Sequence, residues 1–310
     1  MNAIKLSAAE LAQLLIDRVK QQPYCQRILH GRGKKYAGYE SVNIEWYPPY
    51  LFVQNFNETL SDDLNHALKA VFEEVSSIDA VLIQSREWPD FVTQSLFSRK
   101  EVELPLVYMA PLSKDLHCEI KLGANRNTGT FLDMRGGWQW IAQNSKNKRV
   151  LNLFSYTCVF SLFALSGGAT WVDNVDMAAN VLKIGQRNHQ SNKLHDGKSA
   201  FIKRDILKSQ SWFKSREPYD LIVLDPPPYQ KKAFRGWQDY LKLLRYAQHG
   251  LKPGGTLLCC LNHPQVSIDQ FMADLDEYFE GKATLEVITR APEIEELEDE
   301  KGLKLVTVTL

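Results

Sequence analysis

Directly after the apolar run Tyr219 to Leu224 comes Asp225-Pro226-Pro227-Pro228-Tyr229, a carboxylate, three prolines and an aromatic ring. Prolines fix φ and lack the N–H donor, so the run ends a sheet ladder and holds Asp225 and Tyr229 in set positions beyond the strand. A carboxylate and nearby backbone carbonyls accept hydrogen bonds from the amine of a base or cofactor, and a tyrosine ring stacks on a flat one. A turn that merely ended a strand would need neither side chain.

A second chemistry-bearing stretch runs from Val150 to Thr170. Val150 to Phe154 is short and apolar, as a strand buried on both faces should be. It passes through Ser155-Tyr156-Thr157-Cys158 into a helical pattern that stops at Ser166-Gly167-Gly168. A strand, turn and helix of this kind aim backbone N–H groups and the positive end of the helix dipole at the carboxyl edge of a parallel sheet, where such sheets bind ligands. The next apolar run, Ala169 to Val175, ends in Asp176, roughly twenty residues after the turn, the spacing that sets a carboxylate on a ribose. An ordinary strand-end Asp, capping a helix from Met177 to about Leu194, fits the same position.

The elements that must position these residues alternate regularly. Ala200 to Lys203 reads as a strand ending near Asp205, Tyr219 to Leu224 as the next, and Trp237 to Gly250 as a helix closing at Lys252-Pro253-Gly254-Gly255. Thr256 to Leu261, a helix over Ser267 to Phe279, and a terminal antiparallel pair, Thr284 to Thr289 with Leu303 to Leu310, complete the order; the acidic stretch Glu293 to Glu300 joins the pair. This predicts an α/β fold with a seven-stranded, mostly parallel sheet and helices on both faces, occupying residues 116–310.

Residues 1–115 read as a small α+β module. Ser7 to about Gln21 is a helix with a Ser7/Glu10 capping box, Tyr39 to Tyr47 and Leu51 to Phe56 form a hairpin, Leu60 to Val75 is a helix, and Ala80 to Ser85 and Glu103 to Met109 are strands. Between the first helix and the hairpin lies the densest positive cluster, Arg27 to Lys35, glycine-rich and basic. Such a loop can follow a phosphate backbone, which makes Arg32, Lys34 and Lys35 candidates for RNA contact; a solvated basic turn fits equally well. Trp46, Tyr47, Trp88 and Phe91 could stack bases, although aromatics at strand spacing belong more often to a core.

Composition narrows the classes. In 310 residues, 37 Lys and Arg balance 37 Asp and Glu, so overall charge cannot drive nonspecific binding to a polyanion and any nucleic acid must meet a local patch. Five cysteines without a CxxC, and histidines without ligand spacing, argue for free thiols and against a metal site. No apolar run approaches the roughly 20 residues that span a bilayer, so the expectation is a cytoplasmic protein without a membrane partner.

Taken in order, VLNLFSYT, Asp176, Asp205, DPPPY and KPGG resemble the motifs of class I S-adenosylmethionine-dependent methyltransferases, whose domain is Rossmann-like. NTGTFLDMR, Asn127 to Arg135, is similar to the TGFFLDxR signature of the large-subunit ribosomal RNA methyltransferase group, which includes C5-cytosine and N7-guanine enzymes. The resemblance implies that Phe154, Ser155, Tyr156 and Thr157 surround the methionine part of S-adenosylmethionine, with Thr128, Asp133 and Arg135 bordering its end. Asp176 would bind the ribose hydroxyls and Asp205 the adenine amine, while Asp225, Pro226 and Tyr229 would face the target base.

Two departures from the family pattern carry consequences. Cys158-Val159 follow the SYT triplet where glycine is usual, and a Cβ there either crowds the cofactor or shifts the loop. Asn262 stands where the C5-cytosine members carry their catalytic cysteine, while Cys259 and Cys260 fall inside the preceding strand. Methylation at C5 needs a thiolate, whereas methylation of a nitrogen needs mainly an aligned lone pair. The expectation is therefore an RNA base methyltransferase acting on ribosomal RNA at a nitrogen. A C5-cytosine enzyme, a non-catalytic RNA-binding scaffold, and a methyltransferase for a small molecule or protein are the alternatives.

Overall fold

A computed structural model of the chain describes residues 2–57, 59–86, 91–194, 197–227, 236–298, 300 and 302–310. It divides into two compact units, Met1–Asp133 with Pro292–Asp299, and Met134–Ala291 with Glu300–Leu310. The boundary expected after residue 115 falls inside the first unit, and the acidic stretch belongs mainly to that unit rather than to the hairpin it joins.

The first unit opens with β1 (Ile4–Lys5) and α1 (Ala8–Gln21), whose capping box forms as the sequence predicts: Ser7 Oγ accepts from the Glu10 N–H at 3.3 Å and Glu10 Oε2 from the Ser7 N–H at 2.8 Å. Then come β2 (Gln26–His30), β3 (Tyr36–Ala37), β4 (Val42–Tyr47), β5 (Tyr50–Asn55), α2 (Asp62–Glu74), β6 (Ala80–Ser85) and β7 (Val92–Ser98). A five-stranded sheet forms in the order β2-β4-β5-β6-β7, parallel only between β5 and β6, which α2 connects. Leu11 and Leu15 of α1 and Leu68 and Val71 of α2 share a core with Ile44 and Val53 of the sheet. β8 (Leu106–Pro111) and β9 (His117–Leu122) make a separate antiparallel pair.

Two expectations change here. The Arg27 to Lys35 segment is not one basic loop: its first half is β2, every residue of which is buried, and the 3-10 turn Gly31–Gly33 follows. Hydrogen bonding to β4 and coverage on both faces outweigh the charge of Arg27, which Glu45 neutralises inside. β7 had no sequence signal because an edge strand with mostly exposed residues shows no apolar alternation.

The second unit begins with α3 (Arg135–Asn144) and continues β10 (Arg149–Leu153), α4 (Val159–Ser166), β11 (Trp171–Asp176), α5 (Ala179–Ser191), β12 (Ser199–Lys203), α6 (Gln210–Lys214), β13 (Tyr219–Leu224), α7 (Trp237–Gly250), β14 (Leu251–Leu261), α8 (Ile268–Tyr278), β15 (Thr284–Val287) and β16 (Lys304–Thr309). The sheet is seven-stranded in the order β12-β11-β10-β13-β14-β16-β15, with β16 alone antiparallel to both neighbours. Lys252-Pro253-Gly254-Gly255 lies within β14 rather than before it, beside a register shift between Tyr219 and Leu221. The chain winds from β10 outward to β12 and then returns to β13 on the other side, so the switch point, and with it the ligand crevice, falls at the carboxyl ends of β10 and β13.

Candidate active site

Strand register brings the second unit's candidates to one edge. Leu153 pairs with Val175 on one side and Leu224 on the other, and Leu224 pairs with Cys259. The residues at the strand ends therefore emerge in a row: Asp176 closing β11, the turn after Leu153, Asp225 and Asn262. With strands about 4.8 Å apart, the row is about 15 Å across.

The turn is tightly wound. Phe154, Tyr156 and Cys158 all have left-handed backbone, at φ +55°, +47° and +66°. Such conformations cost a non-glycine residue roughly 1–2 kcal/mol each and persist where surrounding bonds enforce them. Here the Ser155 N–H donates to Val175 O at 3.1 Å, the Cys158 N–H to Ser155 O at 2.7 Å, and the Tyr156 N–H to Asp176 Oδ2 at 3.0 Å. Asn188 Nδ2 of α5 donates to Thr157 O at 3.0 Å. Ser155 and Thr157 are buried, and α4 begins directly after the turn.

Cys158 occupies the place of the usual glycine without facing the turn's open side. Its thiol is fully buried and fills the space beside Gly185 of α5, where a Cβ would stand 2.4 Å from Sγ. The departure is matched by a glycine on a neighbouring helix. Burial pushes the Cys158 thiol pKa far up, so it stays protonated.

Asp176 combines both of its sequence readings. Oδ1 accepts from the Ala178 N–H at 2.9 Å at the entrance to α5, while Oδ2 holds the Tyr156 N–H of the turn. Each carboxylate oxygen retains a lone pair for a ligand hydroxyl. Beside it Met177 is 62% exposed, an apolar surface next to a half-buried carboxylate. Asp205 sits before the 3-10 turn Ile206–Lys208, its carboxylate 3.0 Å from Lys208 Nζ.

At the other end of the row, Pro226, Pro227, Trp237, Tyr240, Asn262 and His263 line much of a cavity that opens to solvent. Trp237 and Tyr240 stack with centroids 5.4 Å apart and planes at 16°. Asn262 is exposed to it, and the turn that carries Asn262 and His263 is pinned by Lys304, a lysine only 2% exposed whose Nζ donates to His263 O at 2.7 Å. Tyr229 lies outside the described residues. Trp237 was missed from sequence because it reads as the first residue of an amphipathic helix; its only signal was an aromatic closely following DPPPY. Cys259 and Cys260 are buried in β14, with the Cys259 thiol pushed up to about 12 and that of Cys260 well above its ordinary value.

Of the remaining candidates, Thr128 and Asp133 belong to the first unit and Arg135, buried at the start of α3, to the second. Within the first unit, Arg27 donates to Glu45 Oε1 from Nη2 at 2.6 Å and from Nε at 3.2 Å, and lies 4.0 Å from Asp133. Tyr47 donates to Glu45 Oε2 at 2.9 Å and is 2.7 Å from Thr128 Oγ1. Thr128 and Asp133 are thus the two ends of one buried network, and Asp133 Oδ1 is buried with no hydrogen-bond partner among the described residues. Arg32 and Lys34 are exposed and Lys35 half-buried; Lys34 pairs through its backbone with Glu296. Trp46 and Tyr47 are core residues, and Trp88 lies outside the described residues. The acidic stretch closes over this region, with Arg18 and the Tyr36 hydroxyl both donating to Glu295 Oε2, at 2.6 and 2.5 Å, and His30 Nε2 3.0 Å from Glu296.

Among solved structures, a candidate S-adenosylmethionine-dependent methyltransferase from Streptococcus mutans superposes over 100% of this chain and 83% of its own, with a TM-score of 0.82 at 21% identity. The Agrobacterium tumefaciens SAM-dependent methyltransferase does so over 87% of both, with a TM-score of 0.63 at 18% identity. These share the fold. By sequence, ribosomal RNA large subunit methyltransferase I of Aeromonas hydrophila is 30% identical over 233 residues, 71% of this chain and 57% of that protein. Ribosomal RNA large subunit methyltransferase K/L of Hahella chejuensis is 30% identical over 265 residues, 81% of this chain and 35% of its own length. The chain thus spans about half or less of these relatives. Residues 26–308 match the signature of the S-adenosylmethionine-dependent methyltransferases, nearly the whole chain, and the chain belongs to that family.

Proposed function

We propose that the chain transfers a methyl group from S-adenosylmethionine to a base of RNA, ribosomal RNA in particular, with a nitrogen as acceptor. The observation that carries this reading is the cavity beside the end of β13, where Pro226, Pro227 and the Trp237 ring make apolar walls and Asn262 adds a polar group. A flat, polar-edged ring suits such a lining. The Aeromonas and Hahella relatives, both named for ribosomal RNA, support the substrate class.

When bound, S-adenosylmethionine supplies a methyl group activated by its sulfonium. The residues of the second unit fit that molecule. Asp176, oriented by two backbone N–H groups, would accept from the ribose hydroxyls; Met177 would pack against the adenine, and Asp205 would accept from its amine. Phe154, Ser155, Tyr156 and Thr157 would surround the methionine part. The resemblance alone would give Thr128, Asp133 and Arg135 their place at the methionine end.

Asp225, Pro226 and Tyr229 would hold the base so that a nitrogen lone pair is aligned for in-line transfer. Nitrogen is favoured because Asn262 cannot add to a pyrimidine ring, and the buried, protonated thiols of Cys259 and Cys260 are not nucleophiles. The inward-facing thiol of Cys158 gives a non-catalytic scaffold no support. A tritiated-methyl assay on RNA tests the reading: Asp225→Ala should lower the rate by about a hundredfold or more with cofactor binding retained, and undiminished activity would remove Asp225 from its role. Nucleoside analysis of the product separates nitrogen from C5 methylation.

A further inference from the structure

The first unit carries an arginine cluster that none of the roles above uses. At the edge where β2, β5 and β6 end, the guanidinium carbons of Arg32 and Arg86 lie 4.5 and 5.4 Å from the centroid of one ring, Phe56. Arg86 Nη2 donates to the carbonyl of Arg126, and its Nε to Gln84 Oε1 at 2.9 Å. Arg32 and Arg126 are exposed; Phe56 and Arg86 are half-buried.

The bonds described for Arg86 go to neutral oxygens, which orient the guanidinium without cancelling its charge. Glu296 acts on Arg32 and Glu45 on Arg86. Glu296 is already 3.0 Å from His30, and buried Glu45 already accepts from Arg27, Tyr47 and Gln54. Burial, together with the neighbouring Arg27 and Arg126, pulls the Arg86 pKa down to about 10 and lowers that of Arg32. Holding like charges this close costs stability, and a polyanion would recover it. Stacking on Phe56 also fixes the planar groups in advance, so less entropy is lost on binding.

We propose that Arg32 and Arg86 on the Phe56 ring, with Arg126 adjoining Arg86, form a binding site for the phosphodiester backbone of single-stranded RNA. The site takes in Arg32 of the basic segment and adds two arginines from distant parts of the chain, whereas Lys34 and Lys35 lie outside it. It rests on the reading of the chain as an RNA methyltransferase and names how that RNA is held.

The test is anisotropy of a short, unstructured, labelled RNA titrated at several KCl concentrations, comparing wild type with Arg126→Glu and with the double variant Arg32→Glu, Arg126→Glu. Phe56→Leu removes the ring without altering charge. S-adenosylmethionine titration and thermal unfolding on each variant check the fold. The double variant should bind at least about tenfold more weakly, and its dependence on salt should flatten by about 1.4 in log–log slope, two single-strand phosphate contacts. Arg126→Glu alone should show about half that flattening, and Phe56→Leu weaker binding at an unchanged slope. Wild-type affinity and slope in the double variant, with methyl transfer to RNA intact, would overturn this site and leave the proposed function standing. A wild-type protein that neither binds RNA nor methylates it would overturn both.

Discussion

Each unit buries a polar network, and the two are built on opposite principles. In the first unit the network is charged: Asp133, Arg27 and Glu45 run through Tyr47 to Thr128, with Arg27 8% and Glu45 2% exposed. In the second it is neutral: Asn152 donates to Asn174 at 3.0 Å, Asn174 to Ser161 at 3.1 Å, Ser161 lies 2.8 Å from His189 Nε2, and His189 Nδ1 is 2.7 Å from Gly185 O. Because a carbonyl only accepts, His189 carries its proton on Nδ1 and receives the Ser161 hydroxyl at Nε2. The charged one ends at Thr128 and Asp133, and the neutral one links β10, β11, α4 and α5 beneath the turn. A charged network is unforgiving of the loss of one partner, whereas a neutral one is lost gradually, by pH or by packing.

Removing the central carboxylate should show the largest effect. Glu45→Ala leaves Arg27 buried without its main counter-charge and should cost about 3–5 kcal/mol in denaturant unfolding. A loss under about 1 kcal/mol would mean that the pair is not acting as a buried charge pair, and the contrast between the units would collapse. Glu45→Gln, which keeps two hydrogen-bonding atoms, should fall between.

The neutral network should respond to acid instead. Burial lowers the His189 pKa to about 4 from its ordinary 6.5. The unfolded chain therefore takes up this proton first, and the stability His189 confers is complete above about pH 6.5 and is lost as pH falls toward 4. The loss amounts to about 3 kcal/mol. His189→Gln should flatten unfolding curves measured across that window, and an unchanged pH dependence would show that His189 is not held neutral.

A smaller and reciprocal effect is expected at the turn. Gly185→Ala places a Cβ against the Cys158 thiol and should cost about 1–3 kcal/mol while weakening S-adenosylmethionine binding in a calorimetric titration. Cys158→Gly, which also relieves a left-handed residue, should make Gly185→Ala nearly harmless; additive losses in the double variant would disprove the pairing. The smallest change expected is about 1 kcal/mol or less for Glu295→Gln, which keeps the oxygen that accepts from Arg18 and the Tyr36 hydroxyl and gives up only the charge of a partly exposed pair.

Most of the second unit was readable from its residues. Short apolar runs separated by helical periodicity are strong local signals for strands buried on both faces, and Asp176, Asp225 and Asn262 could be placed at strand ends because each follows such a run directly. The first unit was read less well, for two reasons. In β2 the apolar period is interrupted by buried Arg27 and His30, so the strand looked like part of a basic loop. β7 is an edge strand with little burial to mark it. Trp237 and Lys304 were passed over because each fits an unremarkable pattern along its own element.

The sequence by itself determined the order of strands and helices, the stiff Asp225-Pro-Pro end and the turn after Leu153, since these follow from backbone preference and hydrophobic period within a few residues. Only the tertiary structure decided which charges are buried and which face solvent. Arg27 and Arg32 are five residues apart in one basic stretch, yet Glu45 across a strand pair draws the first inside, while the ring of Phe56, just past the end of β5, holds the second at the surface. The partner that neutralises or orients a charge is brought by the fold from elsewhere in the chain, and Coulombic and desolvation energies depend on that distance in space rather than on separation along the sequence.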